Sequence, residues 1–235
     1  MTGSYLKMEK TRILVIKFKN EIVHREIPLF RGAVINTLGE KCDLLFHNHD
    51  ESKLRYSYPL IQYKCIDQKA ALVCINEGAD SIGKFFAGAN LNLRLGNRMV
   101  LFDVENIKAD QFHIQIQDTK IRYHISKWLP LNQNNHEQFN QLVGLGDKCH
   151  FLERVLVGNV LSFAKGLGIH FEKEVKCLIL ELGEPKIQLF KGIKMMCYDV
   201  LFECNVSLPN AIGLGKGSSI NHGTIFRMSN KKDDL

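Results

Sequence analysis

Residues 58–76 read YPLIQYKCIDQKAALVCIN. Two apolar runs, YPLIQYKCI and KAALVCIN, flank the polar pair Asp67 and Gln68, which is the pattern of a β-hairpin. Upstream, TRILVIKFK (11–19) reads as a strand with Leu14, Ile16 and Phe18 on one face, and IPLFRGAVINTLG (27–39) reads as a helix. In that helix Phe30, Val34 and Leu38 share a stripe, and Gly39 ends it. Downstream, ADSIGKFFAGAN (79–90) places Ile82, Phe85, Phe86 and Ala89 on one helical face, and RMVLFDVEN (98–106) reads as a strand. The order strand, helix, hairpin, helix, strand is ferredoxin-like: an α+β layer with helices on one side of the sheet and the other side expected to stay free.

A second half follows. FHIQIQ (112–117) and IRYHISKW (121–128) alternate apolar and polar residues as two strands. From His150 to Gly168, Leu152, Leu156, Val160, Phe163 and Leu167 form one helical stripe. KCLILEL, KIQLF, KMMCYDVLFECNVSL and the short TIFRM complete the strands. In the longest of them Met196, Tyr198, Val200, Phe202, Cys204 and Val206 fall on one face. The chain is therefore expected to hold two tandem ferredoxin-like (RRM-like) domains, 1–108 and 109–235, the second degenerate because one helix is missing or reduced. A C-terminal glycine-rich loop belongs to the second.

The 235 residues are 45% hydrophobic, enough for a sizeable core. No apolar run is long enough to span a membrane, and MTGSYLKMEKTR lacks the apolar core of a signal peptide, so a cytoplasmic protein without a membrane partner is expected. Seven scattered cysteines, none in a CxxC pair, fit a reducing compartment. The net charge of +6 permits a polyanionic partner without requiring one.

The loop PNAIGLGKGSSINHG (209–223) fails both common nucleotide signatures. Lys216 precedes Gly217, where a P-loop needs Ser or Thr, and too little chain follows for a dinucleotide-binding unit. Gly213, Gly215, Gly217 and Gly223 exceed what a turn requires. Their amides, with Lys216, Ser218, Ser219, Asn221 and His222 as side-chain donors, suit phosphate binding, against the alternative of a plain connection between strands. Arg31, early in the first helix, is a candidate phosphate contact or an ordinary surface cation.

The remaining signal is LLFHNHDESKLRY (44–56). His47 and His49 would share a face on an extended chain and diverge by about 200° on a helix; an extended path after Gly39 is expected. Taken alone, the pair reads as a solvated loop, as part of a metal site with Asp50, or as an acid–base pair. No HExxH and no well-spaced further ligand accompany it, so no metal or other cofactor is expected.

Three passages resemble the CRISPR repeat-processing endoribonucleases, in the branch whose members carry the b suffix, within the superfamily of repeat-associated RNA-binding proteins. GLGKGSSINHG follows the superfamily pattern of Gly-hydrophobic-Gly, five residues, Gly-hydrophobic-Gly, with Asn221 and His222 departing from it. YPLIQYK and VLVGNVLSFAKGLG are similar to that branch in wording and order. The resemblance implies CRISPR repeat RNA as partner, an RNA groove between two domains, and metal-independent cleavage within repeats. It also implies a catalytic role for His47 and His49, with Lys53 and Tyr56 as candidate assistants. A non-cleaving RNA-binding subunit is the main rival, a metal-dependent hydrolase the second. Other CRISPR effector subunits and a second copy of the chain stay open as further partners.

Overall fold

The computed structural model describes residues 10–39, 44–47, 49–50, 53–54, 58–88 and 91–229. In chain order its elements begin with strand β1 (Thr11–Glu21), helix α1 (Ile27–Leu38), the one-turn α2 (Leu44–His47) and the two-residue strands β2 (His49–Asp50) and β3 (Lys53–Leu54). They continue with β4 (Ile61–Ile66), β5 (Lys69–Ile75), α3 (Glu77–Gly88), β6 (Asn92–Leu95), β7 (Arg98–Leu101) and β8 (Val104–Phe112). The second half holds β9 (Ile116–Trp128), α4 (Gln133–Gln141), α5 (Leu145–Gly166), β10 (Cys177–Leu182), β11 (Lys186–Phe190), β12 (Ile193–Val206) and β13 (Thr224–Arg227).

Local chemistry accounts for the boundaries. Pro28 sits in the first turn of α1, where its missing N–H is no loss, and Gly39 ends the helix at φ 52°. Asp67 and Gln68 both take positive φ (50° and 63°), as a two-residue hairpin turn whose twist matches its strands requires. The Asn132 side chain caps α4 by accepting from the amides of Asn134 and Asn135, at 2.9 and 3.0 Å.

Both halves are ferredoxin-like. The first sheet runs β4-β5-β1-β8 and the second β10-β12-β9-β13, all pairs antiparallel. In each, the half's first strand lies between its third and fourth, and the second strand is outermost. Between β12 and β13, where the first half has α3, the second has only the glycine-rich loop. That missing helix is the degeneracy expected from the sequence.

Apart from the segment that carries His47 and His49, the elements differ from the sequence reading in four places. RMVLFDVEN is not one strand: Arg98–Leu101 pairs with Asn92–Leu95 as a separate hairpin, and the strand paired with β1 starts at Val104. FHIQIQ is not a strand either, because Phe112 closes β8 and Ile116 opens β9; β8 thus straddles residue 108. Helix α5 begins five residues earlier than expected, and α4 carried too few apolar residues to show a stripe. Ala89 lies outside the described residues.

The larger correction concerns the face expected to stay free. Ile16 and Phe18 point into a core closed by Phe30 and Val34 of α1 and Ile82 and Phe85 of α3. On the opposite face, Ile13, Val73 and Ile75 join the core of the second half, with Leu152, Leu156 and Val160 of α5 and Phe202 of β12. The sheet is buried on both sides because β1 and β5 are apolar at odd and even positions alike.

Ile75 is fully buried in this shared core. Ile75→Ala is expected to lower unfolding free energy by about 2–5 kcal/mol. Urea unfolding followed by circular dichroism and by fluorescence of Trp128, which lies in the second half, should give coincident transitions in the parent chain, since neither half keeps its core without the other.

Candidate nucleic-acid interface

In β4, Ile61 and Tyr63 face the first core, whereas Gln62 and Lys64 face the second half. Gln62 and Lys64 are both fully buried. Their partners lie in the glycine-rich loop. Gly213 N donates to Gln62 Oε1 (2.9 Å), Gln62 Nε2 donates to Tyr58 Oη (2.8 Å), and Tyr58 Oη donates to the Gly213 carbonyl (2.7 Å). Lys64 Nζ donates to the Ser218 carbonyl (2.9 Å) and to Thr224 Oγ1 (3.1 Å). Tyr63 N donates to Ser219 O (2.8 Å), and Cys65 N to Asn221 Oδ1 (3.2 Å). The loop thus covers the outer edge of the first sheet.

The glycines answer to this packing. A Cβ on Gly213 would stand 2.8 Å from Lys64 Nζ and 2.7 Å from the Ser218 carbonyl. Gly215 has φ +78°, and a Cβ there would stand 2.5 Å from Asn159 Oδ1. Gly217 and Gly223 are also at positive φ. Sequence reasoning took four glycines as a surplus; the structure uses each one.

The other loop candidates divide. Ser218, Asn221 and His222 are buried. Asn221 Oδ1 is held by the Cys65 amide and its Nδ2 donates to His24 Nδ1 (3.1 Å). His222 Nδ1 donates to the Lys127 carbonyl (3.2 Å), and its ring packs edge-on against His24 and Phe190. Desolvation lowers the His222 pKa and, with the nearby Lys127, brings His24 down to about 4, so both rings are neutral near pH 7. Lys216 is exposed, its ammonium 5.9 Å from the Phe190 ring centre.

Beside the loop opens a cleft of about 690 Å³. The loop's Gly215–Ile220 forms one wall; α5, the start of α4, the 129–131 segment, Tyr58 and Pro59, Arg31 of α1, and Phe190 with Lys191 form the rest. Arg31, Lys191 and Lys216 line it, and among the described lining residues there is no carboxylate. A groove with cations of one sign and partly apolar walls concentrates field on an anion.

Of the candidate catalytic residues, the backbone of three is described. His47 closes α2, His49 opens β2, and Asp50 pairs across with Lys53 of β3. His47 and His49 therefore do not share one extended segment, contrary to the expectation. The side chains of His47, His49 and Lys53, and Tyr56 as a whole, lie outside the described residues. Phe46, next to His47, is buried in the first core, and Leu45 packs against both cores.

Both halves match one family. Residues 9–113 match the model of the Cas6b N-terminal domain, and residues 115–228 that of the Cas6b C-terminal domain. The chain belongs to the Cas6b family. A crystal structure of Cas6b superposes with a TM-score of 0.84 at 26% identity, covering 93% of this chain and 100% of that one. Another, of a CRISPR RNA processing endoribonuclease Cas6b, does so at 0.72 with 24% identity over the same shares. The uncharacterized protein MJ0978 of Methanocaldococcus jannaschii is 31% identical over 138 residues, 59% of this chain and 92% of its own length.

Sequence reasoning missed Lys64, Gln62 and Asn159. For the first two a signal existed: polar residues at i and i+2 inside an otherwise apolar strand mark a face that meets polar groups. Asn159 sits in a helix as one polar residue among several.

Burial brings the Lys64 ammonium down to about 7 from its ordinary 10.5. Between those values the unfolded chain binds a proton that the folded chain does not, so stability should rise as pH climbs from about 7 toward 10. Thermal unfolding across that range should show the rise in the parent chain and lose it in Lys64→Met, which keeps the side-chain length without the charge.

Proposed function

We propose that this chain is an endoribonuclease that cleaves CRISPR precursor RNA within its repeats to release guide RNAs. The observation that carries the reading is the match of both halves to the Cas6b domain models, in register with the two ferredoxin-like sheets. The cation-lined cleft beside the glycine-rich loop supports it, since a lining without carboxylates among the described residues suits a phosphate backbone.

The chemistry proposed needs no metal. The substrate's 2′-oxygen attacks the adjacent phosphorus; as that P–O bond forms, the bond to the 5′-oxygen breaks. The products are a 2′,3′-cyclic phosphate and a 5′-hydroxyl. One group takes the 2′ proton and another supplies a proton to the departing 5′-oxygen. His47 and His49 are assigned these two tasks, since imidazole titrates near pH 6.5. Lys53 is assigned to the charge gathering on the phosphorane, with Tyr56 as a further candidate. Within the loop, Lys216 is the side chain assigned to phosphate; Gly213, Asn221, His222 and Gly223 serve to shape its path. Arg31, which also lines the cleft, is assigned to RNA phosphate as well.

The test is incubation with the CRISPR repeat RNA of its own genome in EDTA, with end-group analysis of the products. The reading expects cyclic phosphate and 5′-hydroxyl ends, and a bound but uncut RNA when the reacting nucleotide is 2′-deoxy. His47→Ala and His49→Ala should each slow cleavage by about 100-fold or more while affinity stays within a few-fold. Intact RNA retained by the parent chain would favour the non-cleaving subunit instead, and activity lost in EDTA a metal-dependent hydrolase.

Lys216→Ala should weaken binding evenly across RNA sequences and reduce the slope of log affinity against log salt by about one unit or somewhat less. A filter-binding titration at several salt concentrations reads both.

A further inference from the structure

Asn159, on α5, lines the cleft, and its side-chain amide has a fixed orientation. The fully buried Trp128 donates its indole N–H to Asn159 Oδ1 at 2.9 Å. An indole nitrogen can only donate, so the oxygen of the amide must face it and the NH₂ must point the other way. Gly215 closes against the same oxygen, where a Cβ would stand only 2.5 Å away. Asn159 Nδ2 has no partner among the described residues. The result is a neutral donor that cannot turn, standing at the wall of the cleft.

The surroundings set what this donor would meet. Lys191 and Lys216 are exposed, so phosphate oxygens are drawn to them. The cleft is also lined by Leu129, Pro130, Leu131 and Val155, apolar surface that suits a flat apolar body better than a phosphate. An unpaired base offers such a body, with carbonyl oxygens or ring nitrogens on its edge as neutral acceptors.

We propose that Asn159 is a specificity-determining residue that donates a hydrogen bond to the edge of one unpaired base of the bound RNA, with Trp128 and Gly215 as positioning residues that fix its amide. This rests on the reading of the chain as an RNA-binding member of its family. The fixed rotor is what gives discrimination: an amide free to flip would accept as readily as donate, whereas this one rejects a base edge that presents a donor at that point.

The experiment measures binding of the genome's own repeat RNA and a panel in which each nucleotide is changed singly, all at one salt concentration. Two variants are compared with the parent. Asn159→Asp keeps an acceptor for Trp128 and removes the donor; Asn159→Leu removes both while keeping the branched heavy-atom shape and adds no charge. The parent is expected to discriminate at one nucleotide by about five- to tenfold, as one hydrogen bond allows, and both variants to lose that preference there while keeping the ranking elsewhere. Thermal unfolding of Asn159→Asp should match the parent within a few degrees. An unaltered preference profile in both variants overturns the proposal. So does an even loss of affinity across the panel in Asn159→Asp with none in Asn159→Leu, which would be charge repulsion alone. A parent chain that retains no repeat RNA at all overturns the RNA reading itself, and this assignment with it.

Discussion

The docking of the glycine-rich loop on the outer edge of β4 determines how the two halves sit and where their cleft opens. An uncovered edge strand presents a row of unpaired amides and carbonyls and invites pairing with other chains. Here Tyr63 N reaches Ser219 O and Cys65 N reaches Asn221 Oδ1, so the edge is closed from within. At the centre of the seam lies a lysine with no exposure to solvent. Burying an ammonium group is costly unless acceptors surround it. The Ser218 carbonyl and Thr224 Oγ1 provide them, and the absent side chain of Gly213 leaves the space. The fold thus commits a loop and a strand more than 140 residues apart to one mutual geometry.

That commitment changes what a glycine-rich loop means in this chain. Glycines next to serines and a lysine suggest amides held out toward a phosphate. Instead the loop turns much of its hydrogen bonding inward, with Gly213 N on Gln62 and His222 on the Lys127 carbonyl. His222 stands where the superfamily pattern has a hydrophobe, and it behaves as one: buried, neutral and packed edge-on against two rings. What the loop turns outward is one wall of a cleft, with Lys216 at its rim. Shape and the placement of a few cations, more than a cradle of amides, are what such a wall offers a polyanion.

The legible parts of this architecture were those set by local periodicity. The hairpin at Asp67–Gln68, the stripe of α1, the stripe of α5 and the long apolar face of β12 follow directly from side-chain spacing, as does the absence of a second-half counterpart to α3. The α4 segment QNNHEQFNQ was not legible because its one large apolar residue, Phe139, cannot form a period, and an Asn cap with capping-box partner Asn135 does what a stripe otherwise would. The burial of both faces of the first sheet was written in the apolar residues at Ile13, Val15, Val73 and Ile75. Reading it required knowing that a second half would dock there. Lys64 and Asn159 illustrate the harder limit, since their roles come from partners about 160 and 31 residues away and no window along the chain contains both ends.

The segment that carries His47 and His49 is held by its neighbours in the chain. A ladder of two residues on each side, Asp50 opposite Lys53 and His49 opposite Leu54, is too short to hold itself in water. Its position must come from what it is tied to. Phe46 is sunk in the first core and Leu45 touches both cores, so the backbone is anchored one residue before His47. In the proposed reaction one group acts on the attacking 2′-oxygen and another on the departing 5′-oxygen, and the tolerance for misplacement is small. The anchor at Phe46 ties the backbone at His47 to the first core, and so to the sheet on which the second half docks. A reaction with that demand is served by an acid or base carried next to such an anchor, whichever of the two tasks falls to it.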